Sequence, residues 1–99
     1  MASNIGIALI GTKFMGRAHS NAWRSVPNFF DLKIHPHMEI ACGRNARETR
    51  DFASQWGWAR GSTNWKAAIK DRKVGLVDVA TPNNLHAEMS IAALEAGKH

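Results

Sequence analysis

Hydrophobic positions along this chain come in two kinds of block: short unbroken runs, and longer stretches in which apolar residues recur every three or four positions. The run Ile5 to Ile10 is nearly continuous, as expected for a strand covered on both faces. It breaks at Gly11-Thr12-Lys13-Phe14-Met15-Gly16. Beyond the break Met15, Ala18, Ala22, Trp23 and Val26 fall at helical spacing, so the pattern predicts a helix that stops before Pro27. Pro27 to Pro36 reads as a connection, an unusually apolar one, and its Phe29, Phe30, Leu32 and Ile34 are expected to cover a sheet edge or a subunit contact.

Met38 to Cys42 is a second short strand, ending at Gly43. Asn45 to Glu48 has the form of a capping box, and the helix it opens carries Phe52, Ala53 and Trp56 before Gly57 closes it. A brief third strand is expected at Trp58 to Arg60. Thr63 or Asn64 then caps a short helix through Trp65, Ala68 and Ile69, ending near Asp71. Leu76 to Ala80 is the fourth strand, stopped by Thr81-Pro82-Asn83. The last helix starts at Asn83 or Asn84, shows Leu85, Met89, Ala92 and Ala96 on one face, and ends at Gly97.

Strands and helices thus alternate, with connections too long for hairpins. That implies an α/β fold, a partial doubly wound parallel sheet with helices on both faces and strand order 3-2-1-4. In this order the chain reverses its winding between strands one and four, and ligands bind in the crevice outside their ends. The loops Gly11 to Gly16 and Thr81 to Asn83 would flank that crevice.

At 99 residues the chain is one domain at most. It has 44% hydrophobic and 21% charged residues and no run long enough to span a bilayer. A soluble, cytoplasmic protein is expected, and the single Cys42, in an apolar stretch, reads as a buried thiol in a reducing compartment. The formal charge of +5 raises the question of nucleic acid, but the basic residues are scattered among acids, so no nucleic-acid partner is expected.

The chemistry concentrates at the glycine turn. A strand, a glycine turn and a helix N-terminus form a ready site for phosphate, because the first backbone N–H groups lack intrahelical partners and the helix dipole favours an anion. Lys13 stands where the dinucleotide fingerprint Gly-x-Gly-x-x-Gly has its second glycine. It can block approach of the pyrophosphate, swing outward as an added phosphate ligand, or be a surface residue on a module that no longer binds. At the end of the second strand an NAD site usually carries Asp or Glu for the ribose, whereas this chain has Gly43 followed by Arg44. An arginine without a carboxylate suits a 2′-phosphate, so NADP is favoured over NAD.

His86 falls in the first turn of the last helix, where a neutral imidazole could shape the nicotinamide side of the crevice, but a helix-packing histidine is the favoured reading. His19 is expected to pack at the core boundary. His35 and His37 are too few for zinc, and no metal site is expected. Asp78, inside an apolar strand, needs a hydrogen-bond partner if it is buried.

Ile5 to His19, Cys42-Gly43-Arg44, Val77 to His86 and Ala93 to His99 together resemble the glucose-fructose oxidoreductase and inositol 2-dehydrogenase family, Gfo/Idh/MocA. The resemblance covers nearly the whole chain. It implies an NAD(P)-dependent oxidoreductase acting on a sugar, inositol or related alcohol. It also implies cofactor-binding positions at Gly11, Phe14, Met15 and Gly16, with Lys13 among them, at Arg44, and at Thr81, Pro82, Asn83 and His86. In the family, Gly-Lys-His leads into another strand, a Glu-Lys-Pro motif with a catalytic lysine, and a mainly β substrate domain. Residues 1–99 are therefore expected to be a truncated NAD(P)-binding Rossmann domain, catalytically incomplete by itself, and no catalytic acid or base carries over. The rival expectation is a non-catalytic nucleotide- or protein-binding module in which Lys13 has weakened the dinucleotide site. The apolar edge of the fourth strand invites pairing, so a homo-oligomer built through it is expected, with no membrane partner.

Overall fold

The computed structural model describes residues 3–99. Its elements are β1 (Ser3–Ile10), α1 (Phe14–Phe29), β2 (Ile34–Cys42), α2 (Ala46–Trp56), β3 (Arg60–Ser62), α3 (Trp65–Lys70), β4 (Leu76–Val79), a 3-10 turn (Asn83–Leu85) and α4 (His86–Glu95). All strand pairs are parallel and the order is β3-β2-β1-β4, as the alternation of elements requires.

Successive residues of a strand point to opposite faces, and β1 shows this with both faces filled. Ala8 and Ile10 join Ile40, Cys42, Ala68, Ile69, Val74 and Met89 in the core under α3 and α4. Ile7 and Leu9 join Ala41, Phe52, Ala53 and Trp58 in a second core on the other face. Burial pushes the Cys42 thiol up to about 12, with Arg60 opposing the shift, so this cysteine is an inert packing residue.

Several boundaries differ from the sequence reading, each for a physical reason. Helix α1 runs through Pro27 to Phe29. A proline in the last turn removes one backbone bond, and Phe30 N–H still reaches the Val26 carbonyl. Strand β2 begins at Ile34 and passes through Pro36, because β3 pairs only with Ile40 to Cys42 and leaves the first half of β2 at an open edge where proline is tolerated. The third strand is Arg60 to Ser62, two residues later than expected, since Trp58 is buried in the core. Phe29, Phe30 and Ile34 cover no sheet edge and remain exposed.

The apolar line on α1 holds only toward its C-terminal end, where Trp23 and Val26 are half-buried and Trp23 packs on the second core. Met15, Ala18 and Ala22 are exposed, and the buried positions are Gly16 and Ser20. Close approach of this helix to the sheet selects small side chains, which a search for large apolar ones overlooks.

Helix ends follow their sequence signals. Asn45 Oδ1 accepts from Glu48 N–H at 2.9 Å and Asn64 Oδ1 accepts from Ala67 N–H at 3.1 Å. Gly57 closes α2 in the left-handed conformation, with φ 85°.

The pairing of β1 with β2 slips between Ile7 and Ala8, leaving Glu39 as the extra residue. Glu39 is buried and accepts from Arg60 Nε at 3.0 Å, while the other end of the Arg60 guanidinium bonds Asp71. Hydrogen bonds from Arg60 and from Lys73 N–H hold the Asp71 carboxyl below the usual carboxylate range. A carboxyl depressed in the folded state contributes stability above its unfolded pKa, and the contribution is lost as pH falls through the folded one. Asp71→Asn is therefore expected to shrink the fall in Tm between about pH 6 and about pH 3. Equal falls in parent and variant, measured by circular dichroism, would contradict this.

Candidate functional site

The three loops that leave β1, β2 and β4 at their C-terminal ends meet at one place. Gly11 follows β1 with φ 118°, a conformation open to glycine, and a Cβ there would come within 2.5 Å of the Ala80 carbonyl oxygen and 3.1 Å of Thr81 N. The β1 loop thus lies directly on the β4 loop. At Gly16, in the first turn of α1, a Cβ would overlap the Gly11 carbonyl oxygen. These two glycines bring strand, turn and helix together at backbone contact, leaving the first N–H groups of α1, on Phe14, Met15 and Gly16, without intrahelical acceptors.

The end of β2 joins from the other side. A Cβ at Gly43 would overlap Thr49 Oγ1 and come 3.0 Å from Thr12 Oγ1. Thr49 is buried in α2, and its hydroxyl has no partner among the described residues. No side chain fits at position 43 while these threonines keep their places. Arg44, the next residue, is exposed.

Lys13 is the N-cap residue of α1, with φ −92°, so the backbone there does not demand glycine. Its side chain is 84% exposed, and Nζ lies 3.6 Å from the Glu48 carboxylate in the first turn of α2. Glu48 therefore meets Lys13 rather than reaching back to close the capping box at Asn45. Phe14 and Met15 are 70% and 50% exposed, large apolar side chains left open at the mouth of the crevice.

On the β4 side, the loop from Thr81 to Asn83 is folded back by His86, whose Nε2–H donates to the Thr81 carbonyl. The carbonyl can only accept, which fixes the proton on Nε2. Thr81 Oγ1 lies 3.6 Å from the Met89 sulfur. Pro82 and Asn83 are exposed. All ten positions singled out in the sequence thus lie in or beside the loops at the C-terminal ends of the strands. Thr12 and Thr49 join them as contacts of Gly43 that the motif does not single out. Thr12 lay in the glycine loop in plain view, whereas nothing in the spacing of α2 distinguishes Thr49 from a surface threonine.

Among the described residues no group of three or more His, Cys, Asp or Glu side chains could hold a metal ion, and no helix is long and apolar enough to cross a membrane.

A parallel sheet in the order 3-2-1-4 with a glycine cradle at its switch point is the arrangement of dinucleotide-binding folds. The sequence model of Gfo/Idh/MocA, an oxidoreductase family with an NAD-binding Rossmann fold, matches residues 5–99. The chain belongs to the Gfo/Idh/MocA oxidoreductase family. Within it, levoglucosan dehydrogenase of Pseudarthrobacter phenanthrenivorans is 40% identical over 97 residues, which are 97% of this chain and 25% of the enzyme. The crystal structure of an oxidoreductase domain protein from Kribbella flavida superposes with a TM-score of 0.94 at 54% identity, covering 98% of this chain and 26% of that one. Levoglucosan dehydrogenase in complex with NADH gives the same TM-score at 40% identity, again over 98% and 26% of the two chains. The chain spans about a quarter of the length of these Gfo/Idh/MocA relatives.

Proposed function

We propose that this chain binds a nicotinamide dinucleotide across the C-terminal ends of β1 and β4, as the cofactor-holding part of an oxidoreductase that acts on a sugar, inositol or related alcohol. The observation that carries this reading is the glycine cradle, in which Gly16 lies on the Gly11 carbonyl and Gly11 lies on Ala80. The N-terminal N–H groups of α1 would hold the pyrophosphate, as helix N-termini hold anions. Phe14 and Met15, open at the mouth, would be covered by the cofactor. Thr81, Pro82, Asn83 and His86 would line its nicotinamide side. The bound nicotinamide would supply a hydride acceptor. Levoglucosan dehydrogenase, the relative described in complex with NADH, supports both parts of this reading.

Lys13 in this reading is a phosphate-side cation. Its outward course toward Glu48 supports a swing to the cofactor over obstruction of it, and a rival module with a blocked site gains no support from that geometry.

At the ribose end the choice is NADP over NAD. Gly43 cannot carry a carboxylate beneath Thr49 and Thr12, and Arg44 offers a planar cation for a 2′-phosphate. Arg44→Ala is expected to weaken NADPH about tenfold and NADH much less. Equal losses for both cofactors in a fluorescence titration would reverse the preference.

Pairing of two copies along β4 is retained for the part of the edge toward Val79. The chain's own His99 already accepts from Val77 N–H and donates to the Gly75 carbonyl. A sedimentation profile that stays monomeric at high protein concentration would remove this proposal. A cytoplasmic setting accords with the free, buried Cys42.

A further inference from the structure

Helix α1 carries the N–H groups of the candidate phosphate site, yet of its sixteen residues it buries fully only Gly16 and Ser20, with Trp23 half-buried against the core of Ile7 and Leu9. Small side chains remove little apolar surface from water, so packing alone fixes such a helix weakly. Hydrogen bonds take over that task. On the β3 side Trp58 Nε1–H donates to Ser20 Oγ at 2.9 Å, and Ser20 Oγ–H donates to the Gly16 carbonyl at 2.7 Å. On the β4 side stands Asp78, the one charged residue of its strand. Its Oδ1 accepts from His19 Nδ1–H at 2.8 Å and its Oδ2 accepts from Trp23 Nε1–H at 2.9 Å.

His19 and Trp23 are one helical turn apart, so the two carboxylate oxygens grip α1 at two successive levels. The carboxylate side chain is only 15% exposed. Charge-assisted bonds in partial burial are strong and directional, and directional bonds fix axial position in a way that apolar contact does not. The grip begins three residues beyond Gly16. It links α1 to β4, the strand whose following loop, Thr81 to Asn83, forms the other wall of the crevice.

We propose that Asp78 is a positioning residue: through His19 and Trp23 it sets the axial position of α1 and thereby the distance between the first-turn N–H groups and the β4 loop. The claim rests on the dinucleotide reading of the crevice. Removal of the grip would let α1 slide while the sheet and both cores stay intact.

The test is carried out on the whole chain, with NADPH and NADH titrations and amide hydrogen exchange resolved along α1. Asp78→Leu, which keeps the branched shape, puts methyls in place of the two oxygens and removes both acceptors, is expected to weaken the preferred cofactor at least tenfold and to speed exchange across the first turns of α1. Asp78→Asn keeps one acceptor and should recover part of both. Trp23→Phe keeps the ring and removes one donor, giving about a threefold loss, and serves if the leucine variant does not fold. Ile69→Val, on the buried face of α3, is the control for stability alone and should leave affinity and α1 exchange within twofold of the parent. If Asp78→Leu or Trp23→Phe lowers Tm but matches Ile69→Val in affinity and exchange, Asp78 has no positioning role. If the parent binds neither dinucleotide, the functional reading fails, and the exchange data alone decide whether Asp78 holds α1.

Discussion

Replacement of Gly16 by alanine is expected to abolish dinucleotide binding and to destabilise the fold by about 2 kcal/mol or more, the scale of an overpacked core. The new methyl would overlap the Gly11 carbonyl oxygen. That oxygen cannot retreat, because Gly11 is itself pressed on Ala80 and donates its N–H to the Cys42 carbonyl at 2.9 Å. The only relief is outward displacement of α1, which carries its N-terminal N–H groups away from the crevice. In a domain of this size each kcal/mol corresponds to about 4–8 °C in Tm. Thermal unfolding should therefore fall by about 10 °C. A Gly16→Ala chain with parental Tm and parental NADPH affinity would mean that the close approach is dispensable.

The second large effect concerns position 43. Installing the acid that NAD sites usually carry, by Gly43→Asp, is expected to cost about 1–3 kcal/mol, since its Cβ meets Thr49 Oγ1 and the Thr12 side chain. Thr49→Ala removes the overlapping hydroxyl, and because that hydroxyl has no partner among the described residues its removal forfeits no hydrogen bond to them. The double variant should therefore be more stable than Gly43→Asp alone, a positive coupling of the kind that double-mutant cycles detect between residues in contact. It should also bind NADH better relative to NADPH than the parent does. Additive changes in Tm would show that Thr49 does not close position 43.

Much of this architecture was legible because the local signals agree with each other. The unbroken run Ile5 to Ile10, the caps at Asn45 and Asn64 and the stop at Thr81-Pro82 each reflect a local requirement of a strand end or helix start, and the strand order is that of the doubly wound arrangement. The family was legible for the same reason, since its motifs lie at those ends. What escaped notice depends on contacts distant in sequence. The inward line of α1 is small at Gly16 and Ser20 because the first turns lie against the Gly11 carbonyl. Trp58 is buried because Ser20, thirty-eight residues earlier, accepts its indole N–H. The partner of Asp78 could be demanded from the strand pattern, but His19 and Trp23 could be named only once α1 lay beside β4.

The direct test of the central claim is titration of the folded chain with NADPH and NADH, followed by nicotinamide fluorescence, in parallel with Gly16→Ala at a temperature where both are folded. Saturable one-to-one binding by the parent, lost in the variant, is the predicted result. A folded parent that binds neither cofactor, or a variant that binds as the parent does, would contradict the assignment of the glycine cradle as the dinucleotide site.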